Sequence, residues 1–169
     1  MDNFSVVDDF LPNDVFENIR ITLLPSYEEI REEQKMYEHG TLIDRPHPEW
    51  AYNQAINDDR DKHWRLFYMF HIPYHHTALT PFYEMFLPVC NALSMRSLIR
   101  IKCNLFPNTE TIQEHGMHVD YPFSHKTAVF SINTCDGYTK FEDGTKINSV
   151  ANRMLIFDGE ILHTSSSTT

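Results

Sequence analysis

Ser97-Leu98-Ile99-Arg100-Ile101-Lys102-Cys103-Asn104-Leu105-Phe106 alternates, with Ile99, Ile101, Cys103 and Leu105 on one side and Arg100, Lys102, Asn104 and Phe106 on the other. A period of two places successive side chains on opposite faces of a strand. Further short strands are predicted at 111–119, 127–133, 138–142, 145–150, 153–157 and 161–166. Between them stand Cys135-Asp136-Gly137 and Glu142-Asp143-Gly144, and the second Asp-Gly is the stronger hairpin mark. Many short strands at this spacing predict a sandwich or jelly roll.

The first half reads differently. Residues 4–11 read as a short strand, and 13–23 as a helix with Asn13 as N-cap and Phe16, Ile19 and Leu23 on one stripe. The charged segment 26–40 is read as helix or as chain without fixed structure. Asp44-Arg45-Pro46-His47-Pro48 reads as an extended loop, since each proline biases its predecessor away from helix. Residues 64–70 read as a core strand, in which Arg65 is a candidate substrate contact. Thr80-Pro81 opens a second helix as N-cap and N1, carrying Phe82, Phe86, Val89 and Leu93, with a kink or break at Pro88. The expected fold is mainly β with flanking helices, an α+β arrangement. A single domain spans 1–169, with 1–95 as a mostly helical support and 96–169 as the jelly-roll core.

The 169 residues, 41% hydrophobic and 13% aromatic, suffice to bury one sizeable core. A formal charge of -10 would repel a phosphate backbone and argues against nucleic acid as a partner. No apolar run approaches the roughly 18 residues of a membrane span. Met1-Asp2-Asn3-Phe4 is acidic where a secretory signal is basic, so a cytoplasmic protein is expected. Cys90, Cys103 and Cys135, an odd count at unpatterned spacings, are expected to be reduced and mostly buried.

Candidate chemistry gathers at His115-Gly116-Met117-His118-Val119-Asp120 and, much later, Leu162-His163. On a strand, His118 and Asp120 leave the same face, and His163 would arrive from a distant strand. Two imidazoles and one carboxylate form a facial ligand set that leaves coordination positions open, as in non-haem iron(II) oxygenases. The alternative is a pair of surface or hydrogen-bonded side chains. His115 falls on the opposite face and is assigned a hydrogen-bonded or exposed role. His71, His75 and His76 have no carboxylate at ligand spacing and read as loop histidines. Tyr121, directly after Asp120, is a candidate substrate contact at the mouth of the site.

Over residues 99–169 the chain resembles the 2-oxoglutarate and iron(II)-dependent oxygenases, in particular the prolyl-hydroxylase-like group. The blocks that carry the resemblance are His118-Val119-Asp120-Tyr121-Pro122, Gly137-Tyr138-Thr139-Lys140-Phe141-Glu142-Asp143-Gly144, and Asn152-Arg153-Met154-Leu155-Ile156-Phe157-Asp158-Gly159 leading to His163. The resemblance implies a double-stranded β-helix (jelly roll, cupin-like) holding Fe(II) through His118, Asp120 and His163. It also implies 2-oxoglutarate and O2 as cosubstrates, with ascorbate as a reductant, and release of succinate and CO2. Hydroxylation of a small-molecule or peptidyl substrate, a prolyl residue among them, is the implied outcome.

The family carries a basic residue, usually arginine, on a strand beyond the distal histidine, and here only Thr164 to Thr169 follow. A truncated form of a longer product is one explanation. Another is that a different basic residue anchors 2-oxoglutarate, with Arg100, Lys102 and Asn104 as candidate cosubstrate contacts. The competing functional classes are a jelly-roll metal-binding module that has lost catalysis and a cupin-like metalloenzyme that uses no 2-oxoglutarate. Oligomeric state is not readable from the sequence.

Overall fold

A computed structural model describes residues 4–38, 48–53, 65–71 and 82–169. The expectations for residues 44–47, 75, 76 and the Thr80-Pro81 helix start lie outside them.

The chain forms two compact units. The first, residues 1–10, 50–69 and 102–169, is mainly β. Strand β8 (Arg153–Asp158) is its centre, hydrogen-bonded between β1 (Phe4–Val7) and β5 (Lys126–Ser131). Both pairings are antiparallel, Phe4 facing Phe157 and Thr127 facing Phe157 from the other side. Strand β6 (Tyr138–Phe141) lies between β7 (Lys146–Asn148) and β9 (His163–Ser165) in a second three-stranded sheet. A third sheet has the order β2 (Ala51–Asn53), β3 (Arg65–His71), β4 (Ile101–Leu105).

Local chemistry explains the best-defined pieces. β8 reads Met154-Leu155-Ile156-Phe157, and Met154, Leu155 and Phe157 are all buried, as a central strand requires. Phe141, Leu155 and Phe157 form the core, with Phe4, Val129, Ile147 and Ile161 packed against it. Phe4 stacks on Phe141 at 5.1 Å, and Phe157 meets Phe141 edge-on at 5.1 Å. The β6–β7 turn follows from Asp143-Gly144: Gly144 adopts φ +89, and the Asp143 carboxylate accepts the Thr145 amide at 2.8 Å. The edge strand β1 is tied to β8 by an Asp8–Arg153 pair that is bidentate, at 2.5 and 2.9 Å.

The second unit, residues 11–49 and 70–101, carries the helices. Helix α1 (Asn13–Leu23) buries the expected stripe of Phe16, Ile19 and Leu23. Its N-cap, however, is Pro12, whose extended φ/ψ of -51/141 leaves Asn13 as the first helical residue with no side-chain capping bond. Helix α2 (Tyr27–Glu38) begins with a capping box: Ser26 Oγ accepts the Glu29 amide at 3.3 Å, and Glu29 accepts the Ser26 amide at 2.5 Å. Pro88 breaks the following helical run as expected. A 3-10 turn at Tyr83–Phe86 ends and α3 (Leu87–Ala92) starts with Pro88 in its first turn, where no amide is needed.

One expected strand does not form. Residues 111–119 make isolated bridges, Glu114 to Ser166 and His118 to His163, because their amides pair with the last strand only at intervals. The three cysteines are free as expected, but each is only partly buried. Among the described residues, no helix is long and apolar enough to cross a membrane.

Candidate metal centre

His118 reaches the site from the bridged segment and His163 from the first residue of β9. The two are held face to face by reciprocal backbone bonds, His118 N to His163 O at 2.9 Å and His163 N to His118 O at 3.1 Å. That register fixes both Cβ atoms on one side of a strand pair. Asp120, two residues on, shares the face, and one ligand atom from each of His118, Asp120 and His163 lies within 4.8 Å of the others.

The imidazoles are oriented for ligation. His118 Nδ1 lies 3.2 Å from the Gly116 carbonyl, and His163 Nδ1 lies 2.9 Å from the Ile161 carbonyl. A carbonyl only accepts, so each Nδ1 carries the hydrogen and each neutral ring presents the Nε2 lone pair. His163 is buried, with its ring edge-on to Phe157 at 4.8 Å. The His118 pKa is lowered: burial is the main cause, and the His163 and Arg65 charges act in the same direction. Burial therefore favours the neutral imidazole that a metal needs. The donor set fits a divalent transition metal, iron(II) included.

Asp120 has support of its own. Thr127 Oγ1 on β5 donates to Asp120 Oδ2 at 3.3 Å and lies 3.4 Å from His125 Nε2. His125 in turn uses Nδ1 to reach the Phe123 carbonyl at 2.7 Å. A side chain on Gly159 would put Cβ 2.0 Å from His125 Nε2, so that glycine leaves room for the ring. Thr127 was not singled out from the sequence. Its inward parity on the strand, shared with Val129, is the only signal that could have found it.

Of the remaining sequence candidates, Arg65, Lys102, Asn104 and Tyr121 belong to the first unit and Arg100 to the second. Arg65, at the start of β3, is buried, and its charge reaches His118. Tyr121 stacks on Phe123 at 5.2 Å and meets His125 edge-on at 5.6 Å, which makes an aromatic rim next to Asp120. Lys102 is partly buried with its Nζ over the Phe67 ring at 5.4 Å, Asn104 is exposed, and Arg100 is half-buried. His115 is buried, with Nδ1 2.8 Å from Ser165 Oγ and its ring 5.0 Å from Phe106, in the hydrogen-bonded role expected. A cleft of about 290 Å³ opens elsewhere, lined by Phe4, Phe141 and Ile161 beneath Glu142, Asp143 and Glu160, and includes none of the three ligand candidates.

No family model matches the chain, and no curated protein does. Its structure is similar to that of a prolyl-4-hydroxylase from Pseudomonas putida, with a TM-score of 0.50 and 12% sequence identity over 99% of this chain and 86% of that one. At this identity the likeness is one of fold.

Proposed function

We propose that the chain is an Fe(II)- and 2-oxoglutarate-dependent dioxygenase that hydroxylates a small-molecule or peptidyl substrate, a prolyl residue among the candidates. The reading takes residues 1–169 as one domain built on a double-stranded β-helix and acting in the cytoplasm. The observation that carries it is the cluster of His118, Asp120 and His163, with both imidazoles turned by carbonyl contacts to present Nε2. The fold likeness to a prolyl-4-hydroxylase supports the same class.

Bound iron(II) would supply dioxygen activation coupled to decarboxylation of 2-oxoglutarate: one oxygen atom enters succinate, the other the substrate, and CO2 leaves. The residues' own tasks are more specific. His118, Asp120 and His163 hold the metal on one face. In this reading Arg65 offers a buried positive charge to an anionic group, and Tyr121 borders the substrate. Arg100, just before β4, and Lys102 and Asn104 on it are the candidate contacts to 2-oxoglutarate.

Incubation with iron(II), ascorbate and 2-oxoglutarate under oxygen should yield succinate, and His118→Ala should yield none above background. Absence of succinate from the wild-type chain would defeat the oxygenase reading. Metal binding without succinate would favour a metal-binding module or a cupin-like enzyme.

A further inference from the structure

We propose that the cleft beside the β6–β7 turn is a docking site for a lysine or arginine side chain of a peptide partner, with the apolar stem on its floor and the charged head at its rim. The inference stands apart from the metal-site reading, because the cleft includes none of His118, Asp120 and His163.

Two kinds of surface meet in this cleft. Phe4, stacked on Phe141 at 5.1 Å, gives it an apolar floor together with Ile161. Glu142 and Asp143 come from the turn after β6 and Glu160 from the turn after β8, and all three are exposed. Among the described residues no lysine or arginine pairs with any of the three, and none lines the cleft. The Thr145 amide holds the Asp143 carboxyl below the usual carboxylate range, so its charge persists at neutral pH.

Carboxylates without a counter-charge above an apolar floor match one kind of ligand. Lysine and arginine lay their methylene stems along apolar surface while the charged head reaches polar surroundings. A purely apolar group would leave the carboxylates unneutralised, and a bare metal cation would leave the floor uncovered. At about 290 Å³ the cleft falls at the bottom of the range of pockets that enclose whole small molecules, roughly 300–1,000 Å³, and suits one side chain with its adjoining backbone. Leu162 is 40% exposed at the same site, so the mouth is open and the rest of a peptide can continue outside. The formal charge of -10 attracts a basic segment before contact is made.

The test titrates the isotopically labelled protein with a capped peptide carrying one lysine among glycines, at low salt. The amide resonances of Asp143, Gly144, Glu160 and Leu162 should shift and saturate. Norleucine in place of lysine keeps the stem without the charge, diaminopropionate keeps the charge on a shortened stem, and each should bind several-fold more weakly. The double variant Glu142→Gln/Glu160→Gln should weaken the lysine peptide by about two- to fivefold. Cadaverine, a free diamine with a similar stem, should bind more weakly than the peptide. No saturable shift, equal binding of the norleucine or diaminopropionate peptide, an unchanged affinity in the double variant, or cadaverine binding as tightly as the peptide would each overturn the proposal. The peptide series uses the wild-type chain, so it decides the matter even if the double variant does not fold.

Discussion

His118 and His163, 45 positions apart in the chain, exchange both backbone hydrogen bonds and bring their ring centroids to 4.6 Å. The backbone pair therefore brings the two imidazoles together before any ion is added. A ligand that binds only the folded chain stabilises it by about 2.7 kcal/mol at 100 times its Kd. Thermal melts with excess Mn(II) should accordingly show a raised midpoint in wild type. Asp120→Ala and His163→Ala should show no such rise, and chelator should reverse it.

Glu114 binds Lys140 at 2.6 Å, Lys146 at 3.0 Å and the Tyr138 hydroxyl at 2.6 Å. These hydrogen bonds, led by Lys140, hold its carboxyl down at about 2 against an ordinary 4.5. The unfolded chain takes up the proton first as pH falls. The contribution of Glu114 is complete above about pH 4.5 and is lost as pH falls through about 2. Acid unfolding of Glu114→Gln followed by circular dichroism should be shallower across that window than wild type.

Desolvation pushes the Cys103 thiol up to about 12, and it pushes Cys90 up as well. A thiol attacks alkylating agents as the thiolate, so Cys103 should stay unmodified by iodoacetamide at pH 8 in the folded chain. It should react fully once the protein is denatured. Peptide mass spectrometry checks both states, and native labelling of Cys103 as fast as in the denatured chain would contradict the raised thiol pKa.

Gly159→Ala would drive a methyl group into the His125 ring, which must move. Overpacking of this kind costs about 1–3 kcal/mol. Urea unfolding should show the loss, and the His125 ring resonances should shift. Gly144→Ala meets no neighbouring atom but must adopt φ +89, so its cost is conformational and should leave His125 in place.

Legibility in the sequence followed the range of the interaction. The β6–β7 hairpin and strand β8 were readable because Asp143-Gly144 and the Met154–Phe157 run act through near neighbours. The Pro88 break and the Phe16, Ile19, Leu23 stripe were readable for the same reason. The Ser26–Glu29 capping box was present as Ser-x-x-Glu and went unread. The segment 111–119 has the residue types of a strand, yet its pairing is set by where Ser166 and His163 offer their backbones, which no local pattern encodes. Thr127 lies seven positions after Asp120, and only the return of β5 past the carboxylate brings the two together. The orientation of each imidazole likewise depends on carbonyls, which carry no residue code.

The Asp8–Arg153 pair and the β1–β8 ladder join two strands that are far apart in the chain. Phe157, the partner of Phe4, follows it 153 residues later. At about 5–20 residues per second, β1 waits roughly 8–30 s with its pairing edge vacant. During that interval Phe4, Val6 and Val7 have no β8 to pair with. The same closure over a long stretch of chain makes the addition of β1 to β8 a late event in folding. Asp8 and Asp9, directly after this strand, keep the waiting segment charged at one end, a feature that discourages pairing between nascent chains.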